Sequence, residues 1–291
     1  MKVLVTGATG FIGNYVIEEL LNRNIEVIAT STSINNAKLK SWYNEVKFVE
    51  HDIKNYSENL VEKFYNPDIL IHLAWRGLPN YKSLFHIEEE LLTQYFFLKK
   101  IIQQGIDNIN ITGTCFEYGN QEGCLNEDNN PALPSNSYSI AKDCLRQFIL
   151  LLKNDNSFSL KWMRLFYMYG KGQNEKSILK QLQEALDRNE KSFNMSGGEQ
   201  IRDYQPVEKI AESIVTCSLQ TQIDGLINIS SNIPIKIIDL VKTYLIEQNK
   251  SIYLNLGFYQ YPDYEPFAFW GDNTKLKQIY KLNNYEPNRK I

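Results

Sequence analysis

Tyr138 and Lys142 stand four residues apart in the run Ser137-Tyr138-Ser139-Ile140-Ala141-Lys142. On a helix that spacing puts both side chains on one face. An ammonium beside a phenol stabilises the phenolate and draws its pKa down from about 10. A phenol tuned in this way can pass a proton to or from an alcohol. Spacing alone does not select this pair, because Tyr43/Lys47, Tyr95/Lys99 and Tyr167/Lys171 share it. Context selects it. Tyr43 precedes a strand, Tyr95 sits inside an apolar helix, and Tyr167 ends a strand with no helix to align it with Lys171. Tyr138 opens a helix after a polar loop, one strand beyond a hydroxyl residue. That hydroxyl is Thr114, at the carboxyl end of an apolar strand and within Gly113-Thr114-Cys115-Phe116-Glu117-Tyr118-Gly119. It can hydrogen-bond a substrate oxygen without changing its own charge. The plainer reading is a strand-end threonine that caps its own backbone.

A second pattern stands near residue 1. Lys2-Val3-Leu4-Val5-Thr6 leads into Gly7-Ala8-Thr9-Gly10-Phe11-Ile12-Gly13, and then Tyr15, Val16, Leu20 and Leu21 recur at helical spacing. Strand, glycine turn and helix in that order are what a dinucleotide pyrophosphate needs. Gly7 permits the tight turn, Gly10 leaves room for phosphate, and Gly13 lets the helix pack close to the strand. Free N–H groups and the helix dipole then favour anionic charge.

The elements around these residues alternate. Strands are expected at Lys2–Thr6, Ile25–Thr30, Val46–Glu50, Ile69–Ala74, Ile109–Thr114 and Leu160–Phe166. Helices are expected between them at Ile12–Asn22, Asn59–Tyr65, Ile87–Gln104 and Ser137–Lys153. Short apolar strands of this kind are buried on both faces. The alternation implies an α/β fold with a doubly wound parallel sheet and a ligand crevice at the carboxyl strand ends. Further helices are expected at Ser177–Asn189, Val207–Leu219 and Ile237–Asn249, and a strand at Leu226–Ser230. The division expected is a dinucleotide-binding domain over 1–170, to which 206–232 returns, and a smaller α/β lobe from 171–205 and 233–291.

Composition narrows the class. The 291 residues carry a net charge of −3 with no basic stretch, so a nucleic-acid partner is not expected. Cys115, Cys124, Cys144 and Cys217 show no metal or disulfide spacing, and His51, His72 and His86 are scattered, so no metal is expected. No run reaches membrane-spanning length, and a strand at residue 2 leaves no room for a signal peptide. A cytoplasmic protein is expected.

Taken together, Thr6-Gly7-x-x-Gly10-x-x-Gly13, His72-Leu73-Ala74, Thr114 to Gly119, Tyr138-x-x-x-Lys142, Arg164 to Gly170 and Arg202-Asp203-Tyr204 resemble the extended short-chain dehydrogenase/reductase family, in its nucleotide-sugar branch. These motifs span nearly the whole chain in the expected order. The resemblance implies that Thr114, Tyr138 and Lys142 form the catalytic set. It implies that Gly7, Thr9, Gly10, Phe11, Ile12, Gly13, Ser31, Thr32, Asp52, Ile53, Leu73, Ala74, Tyr138 and Lys142 contact the coenzyme. Thr114, Tyr167 and Arg202 would contact the substrate, a nucleoside-diphosphate sugar, with Arg202 on the diphosphate. Asp52 would meet the adenine; its plainer reading is a turn residue.

The departures from the family pattern are informative. The 4,6-dehydratases of this family carry an Asp-Glu pair directly after the threonine, where this chain has Cys115 and Phe116. Dehydration is therefore not expected. The second strand ends in Thr30-Ser31-Thr32-Ser33 rather than in an acid, so NADP is expected, with Lys38 as a candidate for its charge and NAD as the alternative. The tail Tyr261 to Asp272 resembles reductases of nucleotide-linked 4-keto-6-deoxy sugars. The expected activity is C4 ketoreduction of such a sugar. The alternatives are a C4 epimerase with bound NAD and a nucleotide-sensing regulator without turnover. Two long helices, with Phe96, Phe97, Phe148 and Leu151, resemble the family's dimer-forming pair, so a homodimer is expected.

Overall fold

The computed structural model describes residues 1–57, 59–128, 133–261 and 265–282. Asn129 to Ala132 of the polar loop before Tyr138 and Pro262 to Tyr264 of the tail motif lie outside them. The first half of the chain runs β1 (Lys2–Thr6), α1 (Phe11–Asn22), β2 (Glu26–Ser31), α2 (Ile34–Lys38), β3 (Lys47–Glu50), α3 (Leu60–Lys63), β4 (Ile69–His72), α4 (Leu91–Gln103), β5 (Asn108–Thr114), β6 (Gly123–Leu125) and α5 (Ser137–Leu151). It continues with β7 (Ser159–Leu165), β8 (Tyr167–Tyr169), α6 (Ile178–Asp187), β9 (Ser192–Asn194), β10 (Ile201–Pro206), α7 (Val207–Leu219), β11 (Gly225–Ile229), β12 (Pro234–Lys236), α8 (Ile237–Glu247), β13 (Tyr253–Asn255), β14 (Phe269–Gly271) and α9 (Thr274–Leu282).

Seven strands form one parallel sheet in the order β11-β7-β5-β4-β1-β2-β3. The chain winds outward from β1 to β3, then returns to lay β4 on the other side of β1. The crevice between β1 and β4 is the topological switch point, where α/β sheets of this kind take their ligands. Apolar side chains drive this layering. Val3 and Val5 face α1 and α7 through Val16, Leu20, Ile210 and Ile214, while Leu4 faces α4 and α5 through Phe97, Ile101, Leu145 and Ile149. Phe97 is thus core, unlike Phe96, Phe148 and Leu151, which are exposed.

A smaller lobe has its own core, with Leu179 and Leu182 of α6 against Leu240 and Val241 of α8. Its strands β12, β10 and β8 form a separate sheet. The chain returns to the large sheet through α7 and β11, and α9 also packs there, with Leu276 and Ile279 in the core beside α1 and α7.

The first turn is closed by backbone. Gly7 has φ of +68°, a left-handed conformation that favours glycine, and Gly10 N–H donates to Gly7 O at 3.0 Å. A Cβ on Gly13 would lie 2.3 Å from Gly7 O and 2.9 Å from Ala8 O. Backbone oxygens of a tight turn cannot retreat as a flexible side chain can. Gly13→Ala is therefore expected to lose stability on the order of 1–3 kcal/mol, despite alanine's helix preference of about 0.5–1 kcal/mol. Urea unfolding measures this; an unchanged or raised midpoint would contradict the close approach of α1.

Candidate active site

The nucleotide side of the crevice is built on Thr6. Its hydroxyl accepts from the backbone N–H of Leu73 at 3.2 Å and of Ala74 at 3.4 Å, tying the ends of β1 and β4. The same oxygen lies 2.8 Å from His72 Nδ1. His72 Nε2 meets Gln94 Oε1, and Gln94 Nε2 donates to Ala74 O at 3.0 Å and to Glu90 Oε1 at 2.6 Å. The amide orientation is fixed by those two acceptors. Gln94 Oε1 must then receive a proton, so His72 carries hydrogen on Nε2 and accepts from Thr6 at Nδ1. The ring is a neutral link, and burial drops its pKa to about 3. The chain of bonds ends at Arg76, whose N–H and Nε donate to buried Glu90 at 2.9 and 2.8 Å.

Gly7, Thr9, Gly10, Phe11, Ile12 and Gly13 surround the start of α1, with Gly10 exposed at its N-cap and carrying no side chain. Phe11 packs edge-on against Tyr15. At the end of β2, the Ser31 hydroxyl is buried with no partner among the described residues, while Thr32 is exposed. Ile53 is core, and Asp52 accepts from Lys54 N–H at 3.0 Å, as a turn residue does. One feature differs from expectation. The turn after β2 is not free of carboxylates: Glu50, from the end of β3, accepts from Ile34 N–H at 2.7 Å. An open cradle at Gly10 and an uncommitted hydroxyl at Ser31 fit a dinucleotide.

Thr114, Tyr138 and Lys142 are brought together. All three are buried, at 7%, 7% and 2% exposure, on β5 and on the first turns of α5. Asn136 starts α5 by accepting from Ser139 N–H at 2.9 Å. Thr114 takes the plainer of its two expected roles. It accepts from Phe116 N–H at 3.3 Å, and its hydroxyl also reaches the Tyr138 phenol. The phenol stands among Trp75, Tyr81 and His86, with ring centroids 5.7, 5.6 and 5.4 Å away. Sequence reasoning missed this aromatic wall, because its residues come from the loop after β4 and carry no periodic signal.

The expected coupling between ammonium and phenol is not realised. Lys142 Nζ donates to Thr112 O at 2.8 Å and lies 4.1 Å from the Trp75 ring centre. Burial lowers its pKa to about 8. Burial pushes the Tyr138 phenol well above its ordinary value, and its Thr114 bond only partly opposes this. The site therefore holds a protonated phenol at neutral pH and a lysine whose ammonium is less favoured than in water.

Glu117, the carboxylate nearest Thr114 in sequence, is fully buried and fully engaged. It accepts from Thr114 N–H at 2.8 Å, from Trp162 Nε1 at 2.9 Å and from Arg164 Nε at 2.9 Å. Arg164 lies over the Tyr118 ring at 4.2 Å. A Cβ on Gly113 would sit 2.2 Å from Trp162 Nε1 and 2.5 Å from Glu117 Oε1, so this cluster needs glycine there.

On the other side, Phe116 continues the aromatic wall from Tyr81 to Tyr167, with centroids 5.4 and 6.1 Å away, and Tyr167 meets Tyr204 at 5.1 Å. Arg202 lies at the end of this wall but is not free. Its guanidinium donates to Ile201 O, Phe267 O and Glu265 Oε2 at 2.8, 3.0 and 2.8 Å, and Tyr167 donates to the same Glu265 oxygen at 2.8 Å. Asp203, beside it, holds the Ser231 hydroxyl and N–H and the Asn232 N–H, and so is structural.

The profile of the NAD dependent epimerase/dehydratase family matches residues 3–230. The chain belongs to that family. Among curated members, it is 29% identical over 273 residues to the dTDP-6-deoxy-L-talose 4-dehydrogenase (NAD(+)) of Aggregatibacter actinomycetemcomitans, covering 93% of this chain and 99% of that one. It is 27% identical over 267 residues to the dTDP-4-dehydro-6-deoxyglucose reductase of Escherichia coli, covering 85% and 82%. The epimerase/dehydratase fold is matched by a Bacillus cereus UDP-glucuronic acid 4-epimerase, solved with UDP-glucuronic acid and NAD, at TM-score 0.80 and 23% identity over 100% of this chain and 95% of that one. Homologues in this family are NAD-dependent oxidoreductases and epimerases acting on nucleotide sugars. No helix among the described residues is long and apolar enough to cross a membrane.

Removing one member of a buried ion pair leaves the other charge without compensation. Glu117→Ala is expected to cost about 3–5 kcal/mol of stability, with Glu117→Gln costing less because its amide oxygen still accepts. Urea unfolding of both variants checks this. A loss under about 1 kcal/mol for Glu117→Ala would mean that the carboxylate is free for other work.

Proposed function

We propose that this chain reduces a nucleotide-linked 4-keto-6-deoxyhexose at C4, with NAD(P)H as hydride donor. One observation carries the reading. The crevice brings the buried Tyr138 phenol and the buried Thr114 hydroxyl together, and the Glu117 carboxylate beside Thr114 is locked in a structural ion pair. That inventory suits interconversion of a ketone and an alcohol, and Cys115 and Phe116 stand where a dehydratase of this family has its acid pair. A bound nicotinamide supplies hydride. Tyr138 gives its proton to the alkoxide forming at C4, and Thr114 hydrogen-bonds the same oxygen. Lys142, which donates to Thr112 O at 2.8 Å, is the residue that would hold the nicotinamide ribose.

The aromatic wall supports this sugar class. Tyr81, Phe116 and Tyr167 present apolar ring surface. A 6-methyl group would gain about 0.8 kcal/mol on burial against that ring surface. Arg202, at the end of the wall, would be the cation for the diphosphate in this reading. The sugar-nucleotide lobe in this reading is 171–205 with 233–291, less α9. Exposed Leu92, Phe96, Phe148 and Leu151 on α4 and α5 suit a homodimer.

The competing reading is a C4 epimerase that retains NAD through its cycle. Stoichiometry separates the two. A reductase consumes one reduced coenzyme per 4-keto sugar and leaves the fully hydroxylated parent sugar untouched; an epimerase converts the parent with no net use. Tyr138→Phe keeps the ring but removes the proton. Turnover is expected to fall by roughly 10²-fold or more, with coenzyme affinity retained. Near-normal turnover in Tyr138→Phe, or conversion of the parent sugar without coenzyme use, would overturn the proposal.

A further inference from the structure

The turn after β2 offers only hydroxyls from its own residues, Thr30 to Ser33, and read alone it suits a 2′-phosphate. The neighbouring strand changes this. In the parallel register Ser31 pairs with Glu50, the last residue of β3. His51 N–H donates to Ser31 O at 3.0 Å and fixes the two strand ends together. Glu50 Oε1 then accepts from Ile34 N–H at 2.7 Å, which holds its carboxylate across the Ser31–Ser33 turn. The Ser31 hydroxyl remains buried with no partner among the described residues. Lys38, the nearest cation along the chain, is exposed at the far end of α2.

We propose that Glu50 is the residue that discriminates between coenzymes, and that it makes the site selective for NAD(H). A ribose 2′-hydroxyl can donate to a carboxylate or pair with the Ser31 hydroxyl. A 2′-phosphate cannot donate, and it would bring like charge against a carboxylate fixed by a backbone bond. This reverses the NADP expectation drawn from the hydroxyl run, because the acid comes from β3 instead of β2. The proposal rests on the reading of the crevice as a dinucleotide site.

Calorimetric titration of the full chain with NADH and with NADPH, in the absence of sugar, tests it. The unmodified protein is expected to bind NADH at least tenfold more tightly, equivalent to about 1.4 kcal/mol. Glu50→Gln keeps an amide oxygen to accept from Ile34 N–H, so α2 keeps its cap, and a melting curve checks that the variant is folded. It is expected to bring the two affinities within about threefold, mainly by tightening NADPH. Equal or tighter NADPH binding by the unmodified protein would overturn the proposal. So would a Glu50→Gln variant that shifts both coenzymes by the same factor, the signature of a carboxylate that only caps α2. Failure of the unmodified protein to bind either coenzyme would remove the dinucleotide reading itself, and this proposal with it.

Discussion

The site depends on a charge pair buried at the carboxyl edge of the sheet. Glu117 and Arg164 are at most 1% exposed, in a place where either charge alone is very costly. The pair is tolerated because the remaining lone pairs are used, by Trp162 Nε1 and by the Thr114 N–H. That last bond ends β5 and turns the chain into a short 3-10 helix, Cys115–Tyr118. The turn leaves the Thr114 hydroxyl beside Tyr138 and puts Phe116 on the aromatic wall. One carboxylate therefore sets the position of a candidate catalytic hydroxyl and is itself withdrawn from chemistry.

A second buried chain does similar work on the nucleotide side. Thr6, His72, Gln94 and Glu90 join β1, β4 and the π-helical turn His86–Glu90 that precedes α4. Every donor in it faces an acceptor, which lets polar groups persist under the crevice floor. Because His72 stays neutral far below physiological pH, the link does not switch with proton activity. Its far end holds the loop from Trp75 to Glu90, and that loop supplies the rings around Tyr138 and Lys142.

Much of this was legible in the sequence. The central strands agree with the apolar runs to within one or two residues, because a strand buried on both faces has little freedom in composition. Gly7, Gly10 and Gly13 were readable because backbone contact demands them. The three-residue strands β6, β8, β9, β12, β13 and β14 carry no periodicity long enough to see. The five-residue α2 is equally silent. The parts the sequence did not show share one cause: the decisive partner lies across the chain instead of along it. Lys142 was aligned with Tyr138 on a helix face, but Thr112 O and the Trp75 ring hold its ammonium. The carboxylate beside Arg202 comes from Glu265, 63 residues further along the chain. The turn after β2 was read as free of acid, but the parallel register brings Glu50 to it.

The central claim is that this crevice moves hydride to or from C4 of a nucleotide-linked sugar while Tyr138 moves the proton. Transfer from coenzyme deuterated at the nicotinamide C4 position, followed by NMR of the recovered nucleotide sugar, addresses that step directly. Deuterium is expected at C4 of the sugar, one atom per coenzyme oxidised. Deuterium at another carbon, or a converted sugar carrying no label, would contradict it.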